Sequence, residues 1–274
     1  VQITNDGTIQ TEDGTNKQIA INAESSLDTT ITNNGTINSD NKYGVILSYA
    51  ENVVITNNAG ATISADGNTA IYGKNVGNCH FNGTNCHSDL SGQSNGVGLT
   101  LHNHGTITSQ HETVWLGSGS SGAHRSKGIK IYNYDGGIIK TTDEGDSPIK
   151  GFHLVDFEFI NYQGGTIEGD DRHAVNTEQS EDINFTNNGT ITATDKSAFY
   201  CKTCSDVTFN NTGTMTSGNN AVVISAGDNI SITNSGTITA TADNSGLNIS
   251  SSDGTVVTNT GTISGVDHGM QSSN

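Results

Sequence analysis

The chain has 274 residues and a net charge of −17, with 11 Lys plus Arg against 28 Asp plus Glu. This acidic balance argues against a nucleic-acid partner, which requires a basic face, and no apolar run approaches the ~20 residues that span a bilayer as a helix. Only 31% of the residues are hydrophobic and 34 are Gly, which favours a narrow core with many tight turns over a broad globular core.

A short phrase recurs along the chain: an apolar residue, a spacer, Asn, a turn ending in Gly, and then Thr-Ile. Clear copies occupy 31–39, 185–193 and 232–240. Such a unit cannot bury its own apolar face, so its copies must stack. Gly83 takes the position of an eleventh member in the long interval between the third and fourth asparagines. The phrase Asn residues are Asn5, Asn33, Asn57, Asn103, Asn133, Asn161, Asn187, Asn211, Asn234 and Asn259.

Each copy alternates apolar and polar residues with a period of two, which indicates strands with one buried face. Apolar residues stand four and two positions before the Asn, as at Val53 and Ile55, and an Ile follows it, as at Ile107. A third, looser side is clearest at Val222 and Ile224. With intervals averaging about 25 residues, the pattern predicts one all-β domain over 1–274, a right-handed, single-stranded, three-sided parallel β-helix of about 11 rungs. Loop insertions are predicted near 74–96, 116–127 and 142–148.

The recurring Asn is predicted to form a structural ladder, because a side-chain amide both donates and accepts hydrogen bonds and in-register stacking joins each amide to the next. Gly83 is predicted to break this ladder once.

Four cysteines fall into two groups. Cys79 and Cys86 share one predicted rung, and Cys201 and Cys204 lie about four rungs away, roughly 20 Å at the spacing of neighbouring strands. Because that distance exceeds the reach of a disulfide, the spacing predicts local Cys79–Cys86 and Cys201–Cys204 bridges in an oxidising compartment. Zinc binding by Cys79, Cys86 and the neighbouring His80 and His87 is a weaker alternative, since adjacent residues of a strand point to opposite faces.

Acidic residues gather in turns after the phrase. The favoured interpretation is that Asp suits solvated turns, with no cofactor. The alternative is that Ca²⁺, which prefers oxygen ligands, binds the two densest clusters, Asp143/Glu144/Asp146 and Glu168/Asp170/Asp171.

Two further functions are weighed against the sequence. The cluster from Asp170 to His173, which includes Arg172, is the one candidate for polysaccharide cleavage, but no nucleophile motif accompanies it and the chain is predicted not to be an enzyme. Outward Thr-x-Thr pairs resemble the ice-binding surface of insect-type antifreeze proteins, although Lys140 and Glu168 interrupt the array. These pairs are Thr106/Thr108, Thr190/Thr192, Thr214/Thr216 and Thr237/Thr239.

The phrase Asn-x-Gly-Thr-Ile-Thr-Ala, repeated over nearly the whole chain, resembles the passenger repeats of bacterial autotransporter adhesins and related surface β-helix proteins. The resemblance implies a right-handed β-helix that is exported to the cell surface and serves adhesion or cell–cell association. The cysteines depart from that family's usual pattern.

The two ends match each other in register. Asn274 stands where Asn52 stands in its own repeat, and Val1 stands where Val53 does. The ends, with Val1, Ile3, Met270 and Asn274, are therefore predicted to meet head to tail, because contacts between different surfaces generate filaments. The rival hypothesis is that the termini are rung boundaries of a longer passenger domain.

The predicted function is an extracellular structural protein, a subunit of a head-to-tail β-solenoid fibre or an adhesin at the cell surface. Its partners are other copies of itself, with glycans or other cell surfaces as further candidates. The alternatives are a polysaccharide-binding or polysaccharide-cleaving β-helix protein and, less favoured, an ice-binding protein.

Overall fold

The computed structural model describes residues 1–11, 18–77, 97–117, 125–142 and 146–273, together with the backbone of His80–Phe81 and Cys86–His87. All regular structure in these residues is β, and three sheets of parallel strands form the three sides of a solenoid. The predicted three-sided parallel β-solenoid is therefore confirmed.

The first side, sheet A, contains the strands that end at the phrase Asn. Its strands are β1 (Gln2–Asn5), β4 (Thr30–Asn33), β7 (Val53–Asn57), β12 (Leu99–Asn103), β15 (Ser126–Asn133), β18 (Leu154–Asn161), β21 (Glu181–Asn187), β24 (Ser205–Asn211), β27 (Asp228–Asn234) and β30 (Val256–Asn259).

The second side, sheet B, follows the Asn corner and carries the Thr-Ile segments. It consists of β2 (Thr8–Gln10), β5 (Thr36–Ser39), β8 (Thr62–Ala65), β13 (Thr106–Ser109), β16 (Ile138–Thr141), β19 (Thr166–Gly169), β22 (Thr190–Ala193), β25 (Thr214–Ser217), β28 (Thr237–Ala240) and β31 (Thr262–Ser264).

The third side, sheet C, closes each coil. It consists of β3 (Ile19–Asn22), β6 (Tyr43–Ile46), β9 (Ile71–Lys74), β14 (Val114–Gly117), β17 (Ile149–Phe152), β20 (Val175–Glu178), β23 (Phe199–Lys202), β26 (Val222–Ser225), β29 (Ser245–Ser250) and β32 (His268–Ser273).

The predicted count of eleven rungs is wrong. Each sheet contains ten strands within the described residues, and β7 pairs directly with β12, placing Asn57 beside Asn103. The strands β10 (His80–Phe81) and β11 (Cys86–His87) form a separate antiparallel pair outside the three sheets. Gly83, the predicted eleventh member, lies outside the described residues. Nine steps between neighbouring strands make the solenoid about 43 Å long at ~4.8 Å per step, where eleven rungs predict about 50 Å.

Inward side chains fill a continuous core along the axis. Phe159, Phe185 and Phe209 occupy the same position on consecutive strands and stack with ring centroids 4.9 Å apart. Phe199 enters from sheet C, with its ring centroid 4.5 Å from that of Phe185. All four rings are fully buried. Offset contacts between rings add to the stabilisation from burial, so this Phe cluster contributes more to stability than the burial of its four rings alone.

Left-handed backbone recurs near the start of the sheet A strands, just after the corner from sheet C. Asp156, Asp182 and Asp206 have φ angles of 56°, 55° and 53° at equivalent positions of consecutive coils. Asn and Asp tolerate this conformation better than other residues with a Cβ. This explains why an Asp or Asn recurs directly before the first buried apolar residue of each of these strands, as Asp156 does before Phe157.

Candidate functional site

The phrase asparagines form one hydrogen-bonded column at the corner between sheets A and B. Nine bonds of 2.7–2.9 Å join the ten side chains, from Asn5 through to Asn259. From Asn33 to Asn234 the side chains are at most 1% exposed. The predicted interruption at Gly83 is wrong, because the amide of Asn57 donates directly to Asn103.

This ladder has a direction. Each Nδ2 donates to the Oδ1 of the following Asn and also to a backbone carbonyl of the following coil, as Asn161 does to Asn187 and to Thr190. At the C-terminal end, Asn259 is exposed and its Nδ2 donates to the carbonyl of Gly261 at 3.2 Å. At the other end, the Oδ1 of Asn5 accepts the Gly7 N–H at 3.3 Å. The ladder therefore ends on a spare donor at one end and a spare acceptor at the other.

The end coils expose apolar side chains. Val1 is 72% exposed and Met270 is 51% exposed, and Ile3 and Val257 are only partly buried. Equivalent positions in the internal coils are buried. Asn274, the fourth residue assigned to these ends by the sequence, lies outside the described residues.

One cysteine pair is described. Cys201 and Cys204 form a disulfide bond and are both buried, beside the end of β23. The side chains of Cys79 and Cys86 lie outside the described residues, so their predicted bridge and the alternative zinc site stay predictions.

The acidic clusters separate in the fold. Asp146 contacts Nδ1 of His111 at 2.9 Å, whereas Glu168 and Asp170 line a shallow groove on sheet B together with Lys140. Asp143 and Glu144 lie outside the described residues, and Asp171 follows Asp170 in the turn after β19. Within the described ranges no group of three His, Cys, Asp or Glu side chains is arranged to hold a metal ion. Ca²⁺ binding stays a prediction.

The four adjacent residues proposed for polysaccharide cleavage do not form one site. Asp170 lines the groove on sheet B, while Arg172 and His173 line a hollow beside sheet C. His173 stacks on Tyr200 with centroids 4.1 Å apart, and its Nδ1 accepts the Ser197 N–H at 3.2 Å. Because that nitrogen is occupied, Nε2 carries the proton of the neutral ring and His173 is poorly placed to act as a base.

Burial, followed by the positive charges of Lys196 and Arg172, lowers the pKa of His173 to about 4 from its usual 6.5. Between these two values the unfolded chain binds more protons than the folded one, so stability falls as the pH falls through this window. We expect a contribution of at most about 3 kcal/mol, seen when urea unfolding at pH 7.5 and 4.5 is compared. The variant His173→Gln is expected to lack this contribution. The control variant His268→Gln replaces an exposed histidine and is expected to retain it. Equal pH dependence in wild type and His173→Gln contradicts the assignment.

The outward threonines of sheet B align in register. Thr190, Thr214 and Thr237 are paired on consecutive strands, and so are the threonines two positions later. Lys140 and Glu168 face each other on β16 and β19 and interrupt the array. Ice binding stays a prediction, which a thermal hysteresis measurement tests.

The sequence reasoning missed an aromatic stack on the outer face of sheet C. Tyr72 lies between Tyr43 and Trp115, with centroid distances of 4.5 and 4.7 Å and nearly parallel rings. The sequence offered only a weak signal for this stack. Tyr72 and Trp115 each come one position after an inward apolar residue of sheet C, the side with the least regular sequence pattern. Beyond this stack along the solenoid axis, Lys150, Asn176 and Tyr200 occupy the same outward position as Trp115 on the next three strands.

Comparison of the chain with family models, with curated proteins and with solved structures gave no match in any of the three. Among the described residues, no helix is long and apolar enough to cross a membrane. The class that the fold defines is thus a three-sided parallel β-solenoid stabilised by a buried Asn ladder.

Proposed function

We propose that the protein is a structural protein of the cell surface or extracellular space whose solenoids associate head to tail into fibres. The observation that carries this proposal is the direction of the Asn ladder. The spare Nδ2 donor of Asn259 and the spare Oδ1 acceptor of Asn5 are the two halves of the bond that links every internal pair.

The end strands extend the same complementarity. In the part of the chain described, β1, β2 and β3 are edge strands at one end, and β30, β31 and β32 are edge strands at the other. Edge strands present unpaired backbone groups that template pairing with another chain. Stacking β1 on β30 in the internal register places Ile3 over Val257, which is the apolar pairing found between all internal coils.

Sheet C matches in the same way. When the paired residues are followed from strand to strand across sheet C, Met270 in the last coil occupies the position that Ile21 occupies in the first coil. A second copy in this register covers Met270 with Ile21 and removes its exposed surface from water, which is favourable at about 25 cal/mol per Å² of apolar area. Because the two surfaces differ, the contact does not close on itself and continues as a filament.

Two observations support a location outside the cytoplasm. The chain is acidic and rich in Thr, Asn and Gly, and Cys201–Cys204 is a disulfide, a bond that persists in oxidising compartments. A fibre of this kind leaves its three lateral faces open to solvent, as an adhesin requires.

Electron microscopy and light scattering of the purified protein over a range of concentrations test the proposal. We expect filaments in which the subunit axis follows the filament axis. Val257→Lys is expected to abolish them, because it puts a charge on the apolar column at the C-terminal end, over which Ile3 of the next subunit stacks in the proposed fibre. Thr258→Lys places the same charge on the outward side of the same strand and is expected to leave them intact.

A wild-type protein that stays monomeric at high concentration refutes the fibre. Filaments that survive Val257→Lys, in a variant with the melting temperature of wild type, show association through a different surface and also refute the head-to-tail contact.

A further inference from the structure

A polar hollow of about 270 Å³ lies on the outer face of sheet C. Its floor is Asn176, which stands in one outward column between Lys150 on β17 and Tyr200 on β23. Glu178 and the stacked His173 close its sides. The column from Trp115 through these residues to Tyr200 spans three strand steps, about 14 Å, and so offers an elongated surface across the coils.

Asn176 is the unusual residue of this hollow. It occupies an outward strand position, yet it is only 7% exposed, and its Oδ1 has no hydrogen-bond partner among the described residues. The Nδ2 donates to Oε1 of Glu178 at 3.2 Å. A carboxylate only accepts hydrogen bonds, so the amide nitrogen must face Glu178 and the oxygen must face away from it. An unpaired buried acceptor costs free energy, which a ligand hydroxyl recovers.

The surrounding groups point to an uncharged ligand with many hydroxyl groups. Lys150 is paired with Glu112 at 2.8 Å, and Asp146 at the rim contacts His111. The lining therefore mixes cationic donors, carboxylate acceptors and an amide, without an excess of one sign that selects a strongly charged ligand. A hydroxyl both donates and accepts, so a polyol satisfies neighbouring groups of opposite type.

Aromatic side chains flank the polar floor. Tyr200 bounds it on one side, and Trp115 ends the Tyr43–Tyr72–Trp115 stack on the other. Within the described residues, Trp115 has a ring partner only on the Tyr72 side. Sites for small molecules combine such apolar surface with a few convergent polar groups.

We propose that the outer face of sheet C between Trp115 and Tyr200 is a binding site for a neutral oligosaccharide, with Asn176 Oδ1 accepting a hydrogen bond from a sugar hydroxyl. The site lies on a lateral face, so it does not depend on the head-to-tail contact and is present in a monomer as well as in a fibre.

Isothermal titration calorimetry with cellotriose, maltotriose, mannotriose and chitotriose tests the site. We expect at least one of them to bind with a dissociation constant of about 1 mM or tighter. Asn176→Leu is expected to weaken that binding at least about tenfold, because it removes the acceptor and keeps the branched shape of the side chain. Asn248→Leu is the matched control: it lies in the same outward column beyond the hollow, and its binding is expected to equal that of wild type.

A second pair of variants covers the case in which Asn176→Leu fails to fold. Glu178→Leu is expected to weaken binding, and Lys202→Leu, next in the same column, is expected not to. The proposal is overturned if none of the four sugars binds, if only the charged probes trigalacturonate or spermidine bind, or if the folded Asn176 and Glu178 variants bind as tightly as their controls.

Discussion

Replacing Asn161 with Ala is expected to lower the free energy of unfolding by about 3 kcal/mol or more. Asn161 is fully buried in the middle of the ladder. It accepts from Asn133 at 2.9 Å and donates to Asn187 at 2.9 Å. Its loss leaves Nδ2 of Asn133 with only the carbonyls of Gly137 and Thr166 as acceptors. It also removes the Asn161 donor from Oδ1 of Asn187 and from the carbonyls of Gly165 and Thr190, and a buried group left unsatisfied costs about 1–3 kcal/mol.

Urea unfolding followed by circular dichroism measures this effect, with the slope compared between variants to detect loss of cooperativity. Asn184→Ala is the matched control, because Asn184 is exposed on the outer face of the neighbouring strand β21. It is expected to change stability by less than about 0.5 kcal/mol. A cost below 1 kcal/mol for Asn161→Ala contradicts a stabilising role of the ladder.

Replacing Phe185 with Ala is expected to cost about 3–5 kcal/mol, the usual range for deleting a buried ring. Phe185 is fully buried and contacts three other rings, those of Phe159, Phe199 and Phe209. The neighbouring coils are held in register by their own backbone hydrogen bonds, so they cannot collapse into the space, and the cavity term is retained.

The same unfolding experiment compares this variant with Phe152→Ala. Phe152 points outward from β17 and is only partly buried, so its replacement is expected to cost much less. Phe185→Leu is expected to fall between the two, since it keeps part of the buried volume. Equal losses for Phe185→Ala and Phe152→Ala contradict the assignment of Phe185 to the core.

The sequence by itself determined the class of fold and most of the register. Alternation with a period of two identifies the buried face of each strand, and a recurring Asn sets the phase of every coil. In a parallel stack, burial of the apolar face and alignment of the Asn residues require the same register. A slip of one residue between neighbouring strands exposes the apolar face and also breaks the ladder. This is why the sequence predicted ten phrase asparagines as one column, and why the structure places all ten there.

The sequence misassigned Gly83 for a physical reason. The interval from Asn57 to Asn103 equals about two repeats, and an extra coil and an inserted hairpin both fill that length. Local alternation around Phe81 fits either one. Only the pairing of β7 with β12 decides between them, because it is a contact between residues distant in the chain.

Tertiary structure alone decided the composition of the lateral sites. Lys150, Asn176 and Tyr200 are more than twenty residues apart from one another in sequence and meet because coils of unequal length return to one column. Conversely, Asp170 and His173 are near neighbours in sequence and line different hollows, because the turn between sheets B and C directs their side chains apart. Strand periodicity sets which side of a sheet a residue faces, whereas the length of every intervening turn sets which residues meet there.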